Sequence, residues 1–260
     1  MAHGDSTRTF SGAGEVYVSR RVSGKPVDLQ FVGNVKELSF APKVERKEHR
    51  EKQTGNDSID QVMERMLDLE ISMKQCSFDS DSIGRMIYGT KQETASSTVT
   101  AETHTATPGR LVKLNGFNVT SITSVTDVGG GTTYTEGTDW EIQNLAAGMI
   151  CIIEGGAITN PEEIEVNYER GESEKVGAFT RPNEDFYFVF TGLNVAESNA
   201  PVVITAFKVR LDPVNDIPLI NEDFTEYELS GKVLFDKCRP AGSSNYFEIE
   251  QLKYDPALAC

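Results

Sequence analysis

Histidine, cysteine and carboxylate side chains are the groups in this sequence that could carry out acid–base or metal chemistry, but their spacing favours neither. The histidines are His3, His49 and His104, and none has a second histidine or a cysteine at metal-ligand spacing. The four cysteines lie far apart along the chain and are expected to be free thiols. The sequence therefore predicts no metal site, no cofactor and no histidine-based catalysis.

Motifs for nucleophilic catalysis, phosphate binding and calcium binding are missing or incomplete. No GxSxG elbow presents a nucleophilic serine. The run Gly129 to Gly131 is not followed by the GK[ST] of a phosphate loop, so a hairpin turn is the better interpretation. Asp79 and Asp81 could offer oxygens to calcium, but they do not complete a ligand loop and they suit a helix cap. We therefore expect that the chain is not an enzyme.

Composition limits the remaining classes of function. The chain has 260 residues, 38% of them hydrophobic, which is enough for one large or two small cores. Its formal net charge of −15 argues against gripping nucleic acid, because phosphate binding needs clustered lysine and arginine. No apolar run approaches the roughly 18 residues of a membrane span, and the opening MAHGDSTRTF predicts no export. We expect a protein that stays in the cytoplasm of the cell that makes it.

The segment Lys43 to Gly55, KVERKEHREKQTG, is highly charged and lies between two strand-like patterns. Its charged residues mix both signs: Lys43, Glu45, Arg46, Lys47, Glu48, Arg50, Glu51 and Lys52. With Val44 as its one aliphatic side chain, it cannot bury itself against its own domain. We interpret it as a long loop. It is either solvated, as a mobile loop or a short charged helix, or it orders against a neighbouring copy through charge pairs.

Alternating apolar residues predict β-strands on both sides of this loop. Val27 to Phe40 predicts a hairpin with its turn at Gly33 and Asn34. Val62 to Ser77 predicts a long strand with one buried face, formed by Leu67, Leu69, Ile71 and Met73.

Three other segments have distinct textures. Residues 1–14 are polar and glycine-rich, which predicts a flexible arm. Ser77 to Tyr88 predicts the one clear helix, with cap candidates among Asp79 to Asp81 and a stop at Gly89. Thr90 to Pro108 is rich in threonine, serine and alanine without periodicity, as a linker would be.

Gly109 to Arg170 is dense in short strands and glycine turns, which predicts a small all-β module. Its acidic residues far outnumber its basic ones, so we expect it to face solvent. Strand patterns resume from Asp185. Because neither flanking part has enough strands for a covered core, residues 15–92 and 173–260 are expected to share one core, with 93–172 as an inserted β-sandwich. The predicted fold class is mainly β with one flanking helix.

Taken together, GEVYVS, VGNVKELSFAPKVERKEHREKQTG and LDLEISMKQCSFDSDSIGRMIYG resemble the major tail tube proteins of long-tailed, siphovirus-like bacteriophages. The resemblance is best up to Gly89. It is carried by the order strand, hairpin, long charged loop, long strand and a helix with a D-x-D-x-I-x-x-x-I-Y-G pattern.

The resemblance implies a tail-tube-type β-sandwich or barrel that assembles as hexameric rings, stacked into a tube that conducts DNA to the host cell. It implies as partners the tape measure, tail terminator and distal tail proteins. DNA would pass without specific binding, and no membrane would be involved. The protein would reside in the virion tail after assembly in the host cytoplasm. Immunoglobulin-like modules outside the tube are known in this family. Here the module lies in mid-chain rather than at the C-terminus.

The resemblance also implies roles for particular residues. The charged residues between Lys43 and Lys52 would form the contact between rings or subunits. Asp68 and Glu70 alternate with Leu67, Leu69 and Ile71, so they lie on the opposite face of their strand. We expect these two carboxylates to face the lumen and to repel DNA.

An alternative belongs to a different class of function. The chain would be a secreted or virion-surface adhesive or carbohydrate-binding protein, with Tyr134, Trp140 and Tyr168 of the inserted module as sugar-stacking platforms. The isolated module would then bind cell-wall glycans. Without such a role, Trp140 is expected to anchor the core of the module.

Overall fold

The fold is mainly β. The computed structural model describes residues 9–53, 55–197 and 199–251, apart from the side chain of Leu67. Within these residues there are many antiparallel strands and one α-helix, which confirms the predicted mainly β class with one helix. The chain divides into two compact units: the first takes the chain up to Thr90 and from Gly177 onward, and the second is Lys91–Val176. The sequence placed these boundaries at residues 92 and 173.

The strands and helix follow one another in this order: β1 Gly12–Val22, β2 Lys25–Pro26, β3 Gln30–Phe31, β4 Val35–Arg50, β5 Ile59–Gln75, α1 Ser80–Met86, β6 Thr90–Thr94, β7 Ser97–Ala106, β8 Leu111–Lys113, β9 Val119–Asp127, β10 Thr133–Tyr134, β11 Trp140–Asn144, β12 Met149–Ile152, β13 Glu162–Arg170, β14 Ser173–Gly177, β15 Asp185–Asn194, β16 Ala200–Leu211, β17 Tyr227–Val233 and β18 Phe247–Gln251. A short 3-10 helix, Val195–Glu197, joins β15 to β16.

The first unit is organised by one large sheet. Its strand order is β2-β1-β15-β16-β17-β5-β4, with β3 also on β1 and β18 also on β16. Leu69, Ile71 and Met73 of β5 are buried, so the predicted inward face is confirmed at these positions. The core they join also contains Val16, Val18, Val32, Met86, Phe186, Phe188, Ala206, Val209, Leu211, Tyr227, Leu229 and Val233.

The predicted hairpin over Val27 to Phe40 is wrong. The segment forms strands on either side of Gly33, but they have different partners: β3 pairs with β1, and β4 pairs with β5. Gly33 has a φ of +90°, a conformation that favours glycine, and the next residue, Asn34, donates its backbone N–H to the Ser77 hydroxyl at 3.0 Å. The turn therefore moves the chain from one strand partner to another instead of folding it back.

The loop predicted between Lys43 and Gly55 is also wrong. Strand β4 continues through this segment to Arg50 and pairs with β5 as far as Ile59. A lack of apolar side chains does not exclude a strand, because backbone hydrogen bonds between two strands do not require an apolar face.

The helix and the N-terminal residues differ from expectation in extent. Helix α1 begins after Asp79, whose carboxylate accepts from the N–H groups of Asp81 and Ser82, so the predicted cap is confirmed. The flexible arm predicted over residues 1–14 is wrong for Gly12 to Gly14, which belong to β1. The rest of that prediction lies mainly in residues 1–8, outside the described residues.

The second unit consists mainly of two sheets around one core. One sheet has the order β10-β9-β13-β7 and the other β11-β12-β8. The core residues are Ala106, Val112, Leu114, Val119, Val125, Tyr134, Trp140, Ile150, Ile152, Ile158, Ile164, Val166 and Tyr168. The linker predicted over Thr90 to Pro108 is wrong, because most of it forms β6 and β7. β-Branched threonine suits a paired strand, and β7 pairs with β13 along its length.

Tyr168 joins three parts of the second unit through its hydroxyl group. The hydroxyl donates to Glu102 Oε2 at 2.7 Å and accepts from the Gly116 N–H at 2.9 Å, while the ring is buried. Burial, reinforced by the bond to Glu102, raises the pKa of Tyr168 to about 12. An unfolded tyrosine titrates near pH 10. The stabilisation from neutral Tyr168 is therefore complete below about pH 10 and is lost as the pH rises towards 12.

We predict that the second unit loses stability between about pH 10 and 12, and that Tyr168→Phe weakens this dependence. At pH 8 the variant should lose about 1–2 kcal/mol, since Glu102 and Gly116 each lose a hydrogen-bond partner. Urea unfolding followed by the fluorescence of Trp140 isolates this unit, because Trp140 is the one tryptophan of the chain and lies in its core. Tyr17→Phe, in the first unit, is the control. If the stability of Tyr168→Phe depended on pH as that of the wild type does, Tyr168 would not be the group that titrates.

Candidate interaction surface

Strands β4 and β5 extend beyond the sheet as a two-stranded ribbon. They pair from Val35 opposite Gln75 to Arg50 opposite Ile59, but β17 covers β5 only along Glu70 to Gln75. We call residues 43–66, except Thr54, the ribbon. Among the described residues, no third strand pairs with it. Isolated two-stranded hairpins are marginally stable in water, so this element lacks the support that the rest of the sheet has.

Ion pairs between the two strands take the place of a core in the ribbon. Arg46 contacts Glu64 at 2.5 Å, and Arg65 contacts Glu45 at 3.0 Å. Nearer the tip, His49 Nδ1 lies 2.6 Å from an oxygen of Asp60. Exposed pairs of this kind contribute about 0–1 kcal/mol each, so they fix the register of the strands more than they stabilise them.

The ribbon also exposes apolar side chains. Val44 lies opposite Met66, and both are about half exposed, at 56% and 42%. Val62 and Met63 are 52% and 63% exposed. Along β4, Val44 follows Phe40 on the alternation that faces the core, so the apolar face of the sheet continues into the ribbon without a cover. By the register, Met63 lies on the other face, while Val44 and Met66 are adjacent exposed apolar side chains of the kind that mark interaction surfaces.

The sequence-predicted contact residues lie in this ribbon or beside its tip. Lys43, Glu45, Arg46, Lys47, Glu48 and Arg50 belong to β4, and Glu51 and Lys52 follow it at the tip. Sequence reasoning missed Val62, Met63 and Met66 because it assigned their strand a single buried face. Their position within a charged hairpin was the available signal.

Asp68 and Glu70 lie at the base of the ribbon, on the face opposite buried Leu69 and Ile71. Each carboxylate is paired: Asp68 with Lys232 at 2.5 Å, and Glu70 with Lys43 at 2.5 Å. The hydrogen bond from Lys232 holds the pKa of Asp68 below its usual value. The placement on the polar face agrees with expectation, but the two carboxylates neutralise lysines rather than forming an unpaired acidic surface.

The three aromatic residues proposed as sugar platforms are buried in the second unit. Tyr134, Trp140 and Tyr168 all belong to its core, and Trp140 Nε1–H donates to the Tyr134 carbonyl at 3.2 Å. Buried rings cannot stack on a sugar, so these residues are removed as a binding surface. The expectation that Trp140 anchors the core is confirmed.

The described part of the chain contains no cluster suited to a metal ion. No group of three or more histidine, cysteine or acidic side chains is arranged there to hold a metal ion. His104 Nε2 lies 2.6 Å from Glu102, within the hydrogen-bond network of Tyr168. None of the helices in the described ranges combines the length and apolar character that crossing a membrane requires.

Comparison with known proteins gives a match to a protein family. The model of a family described as "Protein of unknown function UCP028589" matches residues 9–250. No curated protein matches the sequence.

The pairing of Asp68 and Glu70 predicts a charge-masking role. In the variant Asp68→Asn with Glu70→Gln, Lys232 and Lys43 lose their anionic partners, and retention on double-stranded DNA at low salt should increase. The slope of log affinity against log salt should steepen by up to about 2, one for each freed lysine. Salt-dependent binding measured by fluorescence anisotropy tests this.

The matched control is Glu141→Gln with Glu163→Gln, two exposed carboxylates of the second unit. This variant changes the net charge by the same amount at positions without an observed lysine or arginine partner. Equal DNA retention by both variants would attribute the effect to net charge alone and contradict masking.

Proposed function

We propose that this chain, which belongs to the family described as "Protein of unknown function UCP028589", is a structural protein that polymerises into a phage tail tube. The ribbon is the observation that supports this proposal most directly. It is an ordered hairpin whose exposed apolar side chains and outer edge have no strand partner among the described residues. Such an element gains stability by contact with another copy.

The edge of the large sheet points to the same conclusion. Strand β4 is the terminal strand of the sheet path, and its second edge is unpaired among the described residues over its 16 residues. Long exposed edges promote pairing between chains, and ring closure covers them. Hexameric rings stacked into a tube, as the sequence resemblance implies, are the arrangement we propose.

The polar face of β4, β5 and β17 suits the wall of a DNA channel. Its lysines are held by carboxylates, in the pairs Lys43–Glu70, Lys232–Asp68 and Lys74–Glu37. Phosphate binding requires available cations, so a face with paired lysines offers DNA few points of attachment. DNA would pass because the lysines of this face are paired with carboxylates and cannot bind phosphate. The paired carboxylates would also repel DNA less than the unpaired ones that the sequence predicts.

The second unit is proposed as an immunoglobulin-like module on the outside of the tube. Its two sheets share a core that is separate from that of the first unit, as expected for an inserted domain. The tape measure, tail terminator and distal tail proteins are the proposed partners at the ends of the tube. The assembled protein would be located in the virion tail.

Removal of the ribbon tests the proposed function. Replacing residues 44–67 by Asn-Gly joins Lys43 to Asp68 through a two-residue turn of the kind that hairpins prefer. Because the ribbon is exposed, the free energy of unfolding of the variant should lie within about 0.5 kcal/mol of that of the wild type. We expect the wild type to form rings or tubes in negative-stain microscopy and sedimentation velocity, and the shortened variant to stay monomeric.

A charge exchange provides the control for this experiment. The variant Arg46→Glu with Glu64→Arg keeps the cross-strand pair and the strand length, and it should assemble like the wild type. Tubes from the shortened variant would show that the ribbon is not the assembly element. A wild type that stays monomeric at high concentration would contradict the proposed function itself.

A further inference from the structure

A second exposed apolar surface lies in the connection between β16 and β17. Leu219, Ile220 and Phe224 are 77%, 99% and 99% exposed, which is exceptional for three large apolar side chains within six residues. We call residues 212–226 the acidic loop, because they include Asp212, Asp216, Glu222, Asp223 and Glu226 and no basic residue.

The acidic loop is held to the body of the first unit at both ends. At its start, the Val214 N–H donates to the Met86 carbonyl at 2.9 Å, and Val214 packs against the core. At its end, Glu226 pairs with Lys36 at 2.5 Å. The exposed apolar side chains are therefore presented from an anchored segment.

A groove adjoins these side chains. It has a volume of about 660 Å³ and is lined in part by Leu219, Phe224, Phe78 and Tyr227. The rings of Phe78 and Tyr227 stack with their centroids 5.6 Å apart, and Phe78 is itself 55% exposed. The acidic loop and the groove together form a partly apolar surface with acidic residues at its border.

The ribbon and the acidic loop lie at opposite ends of the same strand. Strand β5 begins near the ribbon tip at Ile59 and ends at Gln75, which pairs with Tyr227, the first residue after the loop. At about 3.3 Å per residue, the loop lies on the order of 50 Å from the ribbon tip and about 30 Å from the ribbon base at Met66. One molecule cannot bring them together, but a second copy can.

We propose that the acidic loop of one copy receives the ribbon of the next copy. This rests on the proposed function and identifies the partner surface of its assembly element. The two surfaces differ, so we propose a head-to-tail contact, in which each copy binds the next in the same direction and repetition extends the assembly.

Charge supports this pairing over a contact between two acidic loops, which would bring like charges together. The ribbon region 43–66 has six basic residues, Lys43, Arg46, Lys47, Arg50, Lys52 and Arg65, and six acidic ones, Glu45, Glu48, Glu51, Asp57, Asp60 and Glu64. It is electrically neutral, so the remainder of the chain carries the entire net charge of −15. A neutral ribbon can approach the acidic loop without like-charge repulsion. Its exposed cations can also exchange partners at small cost, because surface pairs are weak.

Chemical cross-linking between two variants tests the proposed contact. The four native cysteines are replaced by serine, and Val62→Cys and Ile220→Cys are made as separate chains. A short bis-maleimide should give covalent dimers when the two chains are mixed. Either chain alone is the matched control and should give far fewer, since the contact joins position 62 of one copy to position 220 of another. Tubes that form without this cross-link would overturn the inference and leave the proposed function standing.

Substitution of the loop gives a second readout. Ile220→Ser with Phe224→Ser should leave the thermal midpoint of the monomer unchanged, because both side chains are 99% exposed. It should raise the concentration needed for assembly on the order of a hundredfold, since two apolar anchors are lost from the contact. Phe117→Ser, at an exposed site of the second unit, is the control. An unchanged assembly concentration would overturn the inference, and a wild type that neither assembles nor cross-links would overturn both proposals.

Discussion

The pairing of β4 with β5 beyond the edge of their sheet is the constraint on which the rest of the structure depends. Inside the first unit, β5 has a strand on each side and a buried face, so its order is fixed by packing. Beyond Glu70, towards the ribbon, β5 pairs with β4 alone among the described strands. Backbone hydrogen bonds satisfy the inner edges of the ribbon, while no described strand pairs with its outer edges and its apolar side chains are exposed.

Charge is distributed to match this arrangement. Where strands pair in isolation, opposite charges face one another across the ribbon and the local net charge is zero. On the polar face of the sheet, carboxylates hold lysines one to one. The excess of acid is therefore carried elsewhere, including the second unit and the acidic loop. Net charge taken over the whole chain misrepresents the surfaces that matter for contact.

The sequence predicted the parts of the fold where side-chain burial decides the structure. The alternation of Leu69, Ile71 and Met73 and the cap at Asp79 were read correctly because each has a local physical cause. The β5 side of the ribbon is predicted as strand from Val62, but the β4 side is predicted as loop because it buries no side chain. A different signal was available: Glu45 and Arg65, and likewise Arg46 and Glu64, lie at equal distances on either side of Gly55. Such symmetry of opposite charges about a glycine predicts a hairpin.

Aromatic residues were the weakest guide to a surface. In a small β module the supply of large apolar side chains is limited, so Tyr134, Trp140 and Tyr168 are needed for the core before any can be spared for binding. Pairing of Asp68 and Glu70 with lysines also could not be read from the sequence, because Lys232 is far away along the chain and reaches Asp68 only through the pairing of β17 with β5. Contacts of this range depend on topology.

The ribbon and the acidic loop lie towards opposite ends of β5, so the two ends of the first unit present different surfaces. In the proposed stack, the two different surfaces at the ends of β5 let each copy bind the next in one direction. The ribbon has fewer strand partners than the rest of the sheet. Part of the free energy of contact is therefore offset by the cost of ordering it. In the proposed assembly, ordering of the ribbon and growth of the stack are one coupled process. We expect that coupling to make assembly depend steeply on concentration.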